Sequence, residues 1–331
     1  MKFVYVLVSS ESDYYLEEML VSMYSLIKYN PKAEIILVLD KKTFESLRGN
    51  RRGIHKYVSD YVTVNLPDDF LPIQKSRYLK TSLRQLINGN FLYIDNDKII
   101  TGPLIEDVIC TSDIGAVFNQ HRDDWKVTEH SMIITYNNVT GRNYGLENEI
   151  KNLFNGGVIY SKDTKKAHKF FKIWHELWLN DSLHLNFHKD QPSMWKANYL
   201  CGNILSPIEG SYNCQIIYPL YSLRYFHDAK IIHYFSSNSA NQNIKFKQKD
   251  ILEYIRNNGI DKKIENDILN FRQNYLNGIR VCMVTDAKSY DAPIVYVAIK
   301  ISKKAPFVNY FLNYLFNLYH KISISRLKQF Y

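Results

Sequence analysis

The sequence predicts an α/β fold in which helices flank a mainly parallel sheet. Three observations predict it. Apolar runs too continuous for half-exposed strands recur through the first 160 residues, as in strands buried on both faces. Segments of helical periodicity separate them, which implies βαβ crossovers. Several runs end on carboxylate or amide residues, and open α/β sheets collect ligands at the carboxyl ends of their strands.

The elements come in order along the chain. "KFVYVLVS" (2–9) reads as a buried first strand; Leu16, Met19, Leu20, Met23 and Ile27 then recur at helical spacing until Asn30-Pro31 stops the helix. "EIILVLD" (34–40) is a second strand ending on Asp40, "YVTVNL" (61–66) a third, and "KSRYLKTSLRQLI" (75–87) a basic helix. Asn88-Gly89-Asn90 turns the chain into "FLYIDNDKII" (91–100), an apolar strand interrupted by Asp95, Asn96 and Asp97. "DIGAVFN" (113–119) and "NGGVIYS" (155–161) are further strands. The polar stretch of about 30 residues between them has the length of a functional loop. "TKKAHKFFKIWHELWL" (164–179) is an amphipathic helix. After about residue 240 the chain becomes Lys-, Asn- and aromatic-rich, which divides it into an α/β domain, 1–240, and a helical C-terminal region, 241–331.

A chain of 331 residues with 46% hydrophobic and 23% charged residues folds into one large domain or two. It lacks an apolar run of about 18 residues, so no membrane-spanning helix is expected. The apolar stretch at the N-terminus is too short for a secretory signal. These features place the protein in the cytoplasm. Cys110, Cys201, Cys214 and Cys282 match neither a metal spacing nor a disulfide framework and read as reduced thiols. Lys plus Arg is 42 against 33 Asp plus Glu, a formal charge of +9, which favours anionic partners. Zinc-finger, RNA-binding and P-loop signatures are lacking, so nucleic acid is not an expected partner.

Asp95 and Asp97 pose the chemical question. Side by side at a strand end, two carboxylates repel and resist ionising together, so the pair calls for a cation. Hard oxygen ligands suit Mg²⁺ or Mn²⁺, which in turn chelate phosphates. An Asp-x-Asp by itself equally marks a plain turn.

Four ordered stretches supply the context: "YLKTSLRQLINGNFLYIDNDKIITGPL", "LFNGGVIYS" (153–161), "KDQPSMWKAN" (189–198) and "AKIIHYFSS" (229–237). Together they resemble the GT-A nucleotide-sugar glycosyltransferases, and most of all family 8, which includes glycogenin and the lipopolysaccharide galactosyltransferases. The resemblance covers residues 2 to about 240, as a GT-A catalytic domain. It implies transfer of a sugar from a nucleoside-diphosphate sugar, a uridine diphosphate sugar first, to a glycan or lipid-linked acceptor in surface polysaccharide synthesis. It also implies retention of configuration.

By the same resemblance Asp95, Asp97 and His233 hold Mn²⁺ or Mg²⁺, with Asp95 and Asn96 also at the donor. A neutral imidazole suits such an ion. Lys80, with its neighbour Arg77 on one helix face, meets the donor diphosphate. Ser9 and Ser10 stand where the family binds nucleobase and ribose, and Asn155 and Gly156 let the donor sugar approach closely. Asp190 and Gln191 face the anomeric region and supply the catalytic groups. Read alone, "KDQP" is a helix start with Pro192 in its first turn, and the His in "KIIHYF" is a core residue.

Two departures stand out. "HYFSSNSANQNIKFK" lacks the family's Gly and Lys-Pro-Trp, leaving Lys245 or Lys247 to replace that phosphate clamp, and Asp-Gln-Asp becomes Asp-Gln-Pro. Asp123 and Asp124, in the polar stretch, are candidate acceptor contacts or a solvated loop. Two rival functions fit less well. A sugar-nucleotidyltransferase would carry a Gly-rich basic loop after the first strand, where "VSSESDYYLEE" has no glycine. A non-catalytic nucleotide- or carbohydrate-binding protein would not need to keep both carboxylates and the His. Finally, 303–331 has Phe307, Phe311, Leu315 and Tyr319 near helical spacing between basic ends. Such a helix either docks on the catalytic domain or lies peripherally on an anionic membrane surface at its inner face.

Overall fold

β1 (Lys2–Leu7), β2 (Ile35–Asp40), β3 (Asp60–Val64) and β4 (Phe91–Ile94) pair in parallel in the spatial order β3-β2-β1-β4. β7 (Phe154–Ser161) runs antiparallel to β4 and to β6 (Ile114–Phe118), and β8 (Leu205–Pro207) closes the seven-stranded sheet parallel to β6. A second sheet of three short strands sets β10 (Ile231–His233) antiparallel to β5 (Lys98–Ile100) and parallel to β9 (Cys214–Gln215). In this computed structural model the described residues are 1–109, 112–123, 131–140, 152–217, 219–236 and 244–276.

Strand side chains alternate between faces, and β1 feeds a separate core on each. Phe3, Tyr5 and Leu7 join one core with Leu16, Met19 and Met23 of the helix Tyr15–Tyr29. Val4 and Val6 join a second core with Leu79 of the helix Pro72–Thr81 and Phe170, Phe171 and Trp174 of the helix Lys165–His184. Both faces are covered, which is why the strands read as continuous apolar runs. The fold class therefore stands as the sequence predicts it, α/β with a mainly parallel sheet.

Three details differ. The expected helix 75–87 is two pieces, Pro72–Thr81 and Leu83–Leu86, meeting at Ser82. The amphipathic helix expected at 164–179 runs on to His184. β7 is reversed, a direction that a hydrophobic run does not encode. The polar stretch before it contains a helix, Ser131–Thr140.

One compact unit spans Met1–Ile279; a second, Arg280–Tyr331, lies outside the described residues. The helices Lys249–Asn258, Lys262–Leu269 and Phe271–Leu276 belong to the first unit. Arg256 pairs with the buried Glu17 at 2.8 Å, and Lys28 pairs with Glu265 at 2.5 Å. Asp124, Cys110, Cys282 and the basic aromatic segment 303–331 also lie outside the described residues. Cys201 and Cys214 are free thiols. No helix among the described residues is long and apolar enough to cross a membrane.

Candidate active site

The strand order turns back between β1 and β4, since β2 and β3 extend to one side of β1 and β4 lies on the other. Open α/β sheets form their ligand crevice at such a reversal. Asp95 directly follows β4, and its backbone N–H donates to Gly157 O at 2.9 Å, so the start of β7 forms the facing wall. Asn96 is half-buried in the turn that carries Asp97 into β5.

Across the crevice runs a chain of alternating charges. Arg77 Nε lies 3.1 Å from Asp190 Oδ1, and Lys80 Nζ 3.0 Å from Asp190 Oδ2. Lys80 also stands 3.6 Å from Asp95 Oδ1 and 5.2 Å from the centre of the Tyr93 ring. The Tyr93 hydroxyl donates to Asp95 Oδ1. Beyond Asp95 comes Lys98, whose Nζ is 3.8 Å from Asp95 Oδ2 and 2.6 Å from Asp97 Oδ1. His233 Nε2 ends the series 3.4 Å from Asp97 Oδ1. The structure thus brings Arg77, Lys80, Asp95, Asp97, Asp190 and His233 together, and adds a lysine that sequence reading does not place there.

Local structure explains each position. Arg77 and Lys80 share one face of the helix Pro72–Thr81. Lys98 sits opposite His233 in the antiparallel register of β5 and β10, which turns both side chains to the same side. Tyr234 N donates to Asp97 O and Ser236 N to Asp97 Oδ2, each at 3.2 Å, holding the turn. The two glycines of β7 clear opposite faces. A Cβ on Gly156 would lie 3.2 Å from Lys80 Nζ; on Gly157 it would lie 2.9 Å from Asn155 Oδ1 and 3.0 Å from Lys98 Nζ.

Electrostatics reflect this packing. Burial works against the charge on Asp97, but Lys98 and His233 beside it hold its carboxyl well below the usual range. Burial likewise opposes ionisation of Asp190, and Lys80 and Arg77 reverse the effect and lower its pKa. Burial, then the neighbouring Lys98, pushes His233 down to about 4, so its ring is neutral near pH 7. Its Nδ1 is buried without a hydrogen-bond partner among the described residues.

Asp190 precedes the helix Gln191–Leu200 as the sequence predicts, yet its side chain makes no capping hydrogen bond and is given to the two cations instead. Gln191 Nε2 is buried with no partner among the described residues, an orphan that a bound sugar hydroxyl would satisfy. Asn155 is engaged internally: its Oδ1 accepts from Gly157 N and Asn213 Nδ2, each at 2.9 Å, and its Nδ2 donates to Asn119 Oδ1 at 3.3 Å. Ser9 Oγ donates to Asp13 Oδ1 at 2.6 Å and accepts from Arg51 Nη2 at 3.0 Å, while exposed Ser10 donates its N–H to Asp13 Oδ2 at 2.7 Å. Of the two candidate clamp lysines, Lys245 is paired with Asp267, and Lys247 is the one that feels Asp97 and Glu18.

The divalent ion implied by the resemblance does not fit this arrangement. Lys98 is fully buried, with its ammonium 2.6 Å from Asp97 and 3.8 Å from Asp95. A divalent ion about 4 Å from an ammonium would be repelled by about 8 kcal/mol at an effective dielectric constant near 20. Among the described residues no group of three or more His, Cys, Asp or Glu side chains is arranged to hold a metal ion. The reading of Asp95, Asp97 and His233 as a ligand set meets this obstacle: Lys98 Nζ lies 2.6 Å from Asp97 Oδ1 and 3.8 Å from Asp95 Oδ2.

Glu18, Lys98 and Gln215 are missed by sequence reading. Gln215 Nε2 donates to Phe118 O, and its Oε1 accepts from Gln120 N at 2.9 Å. Its signal is long-range and absent from local spacing. Glu18 lies in the amphipathic helix Tyr15–Tyr29, where an acid reads as solvated, yet it is buried and accepts from Ser236 Oγ at 3.0 Å.

No sequence-family model matches the chain, and no curated protein matches it by sequence. Solved structures similar to it include several glycosyltransferases. The galactosyltransferase LgtC, in complex with donor and acceptor sugar analogs, is 17% identical at a TM-score of 0.49, over 80% of this chain and 99% of that one. The glycosyltransferase GlyE of Streptococcus pneumoniae is 18% identical at a TM-score of 0.44, over 84% and 65%. Mouse xyloside xylosyltransferase 1 is 11% identical at 0.44, over 71% and 97%. The side chains of the crevice, rather than these likenesses, carry the functional reading.

Proposed function

We propose that this chain is a glycosyltransferase that moves a sugar from a nucleoside-diphosphate sugar, a uridine diphosphate sugar as first candidate, to a hydroxyl of a glycan or lipid-linked acceptor. Surface polysaccharide or lipopolysaccharide synthesis at the cytoplasmic side of a membrane is the setting. Residues 1–240 carry the chemistry. The observation that carries the reading is the alternating series Arg77–Asp190–Lys80–Asp95–Lys98–Asp97 at the strand-order reversal.

Breaking the bond between the anomeric carbon and the diphosphate leaves negative charge on the departing phosphate oxygen, and positioned cations stabilise it. Lys80 and Arg77 supply that field beside the donor. Asp190, held ionised, accepts from sugar hydroxyls or faces positive charge at the anomeric carbon, and the unpaired amide of Gln191 donates next to it. The acceptor oxygen forms the new bond to the anomeric carbon, and its proton passes to the departing phosphate oxygen. Attack on the face the diphosphate leaves retains configuration and asks for no separate strong base. Mn²⁺ and Mg²⁺ have no step in this reading, because Lys98 occupies the space between the carboxylates.

The test is a panel of sugar nucleotides, scored by slow release of the nucleoside diphosphate, in parallel Mn²⁺ and chelator buffers. One donor base and sugar hydrolysed well above the rest is the expected result. Release from none of them in either buffer overturns the reading.

A further inference from the structure

Lys98 comes directly after the carboxylate pair in "DNDK", and the three-stranded sheet turns it inward opposite His233. We propose that the Lys98 ammonium is the resident cation of the donor site, so that the nucleoside diphosphate binds without a divalent metal. This rests on the glycosyltransferase reading and adds the means of charge neutralisation.

The ammonium is fully buried and bridges Asp97 at 2.6 Å and Asp95 at 3.8 Å. With no exposed surface, the ammonium acts on a bound diphosphate through its charge, by neutralising Asp95 and Asp97 beside it, rather than by contact. The crevice is also balanced as it stands: Arg77, Lys80 and Lys98 face Asp95, Asp97 and Asp190. Adding a divalent ion to the empty crevice would leave two surplus positive charges in a buried place, a cost that the charge of the incoming diphosphate would have to offset. Gly157 belongs to the same device. Any side chain there would press on Lys98 Nζ, 3.0 Å from the position of its Cβ.

The experiment has two readouts on the full chain. Mn²⁺ binding is titrated by electron paramagnetic resonance, and stabilisation by uridine, guanosine, adenosine and cytidine diphosphates is measured by thermal shift in chelator and in Mn²⁺. Wild type should bind Mn²⁺ no more tightly than a surface carboxylate does, and its nucleotide shift should be the same in both buffers. Lys98→Ala, with Lys98→Met as the variant that keeps the stem packed, should weaken nucleotide binding in chelator by roughly 10- to 100-fold. Both should acquire a Mn²⁺ signal and recover nucleotide binding when Mn²⁺ is added.

A wild type that binds Mn²⁺ tightly, or whose nucleotide shift appears only with Mn²⁺, overturns the proposal and leaves the transferase reading standing. Unchanged binding in chelator by a folded Lys98→Met also overturns it. If no nucleoside diphosphate shifts the wild type in either buffer, the transferase reading fails and diphosphate binding through Lys98 fails with it.

Discussion

Asp190 draws two cations of the helix Pro72–Thr81 to a single side chain. Its backbone is fixed by Trp174, whose Nε1 donates to Asp190 O at 2.9 Å, and its carboxylate is shared by Arg77 and Lys80. Asp190→Asn keeps the shape and removes the charge. Turnover should fall by roughly 10²-fold, the scale of losing one positioned electrostatic group, with a much smaller change in donor KM. An equal fall of folded fraction and activity, with normal turnover per folded molecule, would make Asp190 a packing residue. Glu18 makes a prediction about pH. Burial first, then nearby Asp97, pushes its carboxyl up to about 8. Between its ordinary value near 4.5 and about 8 the folded chain keeps a proton that the unfolded chain has lost. The stabilisation is therefore complete below the lower value and disappears as pH rises through the higher one. Glu18→Gln should flatten the fall in urea midpoint between pH 5 and pH 8; parallel curves for the two proteins would refute it.

Elements differ in how far the sequence announces them. β1, β2 and β4 are written as apolar runs because both faces are covered, and the strand-end position of Asp95 comes from β4 alone. The reversal of β7 is not written anywhere local: pairing direction depends on the course of the chain between Asn119 and Phe154. Lys98 is illegible for a related reason. A lysine after two acids reads as a solvated turn, and only the register of β5 against β10, a strand far along the chain, buries it. The amides Asn119, Asn155 and Asn213 come from separate segments, so no spacing reveals their cluster. Between helices, Arg256 is the tie with a measurable consequence. It pairs with buried Glu17, lies 4.4 Å over the Tyr14 ring and donates to Glu11 O at 2.8 Å. Arg256→Ala leaves Glu17 buried and unpaired, so unfolding in urea should show a loss of about 3 kcal/mol. A loss under about 0.5 kcal/mol, the level of an ordinary surface substitution, would show that water replaces the tie.

At the scale of the whole molecule the charge of +9 is not consumed by the crevice, where three cations meet three carboxylates. The excess would suit an anionic surface, and the sequence of 303–331 predicts where it would bind. Asn309, Asn313 and Asn317 recur every four residues and mark a polar stripe, which leaves Phe307, Phe311, Leu315 and Tyr319 a face of their own. Lys303, Lys304, Lys321, Arg326 and Lys328 flank that face. Each basic group near an anionic bilayer contributes about 1 kcal/mol, and aromatic burial at the headgroups adds to it. Flotation with vesicles containing phosphatidylserine or phosphatidylglycerol tests this on the full chain and on one ending at Ser302. The full chain should float at low salt and be released at high salt, and the shortened chain should stay in the soluble fraction. If both float alike, the attraction belongs to the general positive charge; if neither floats, residues from 303 onward are no membrane anchor.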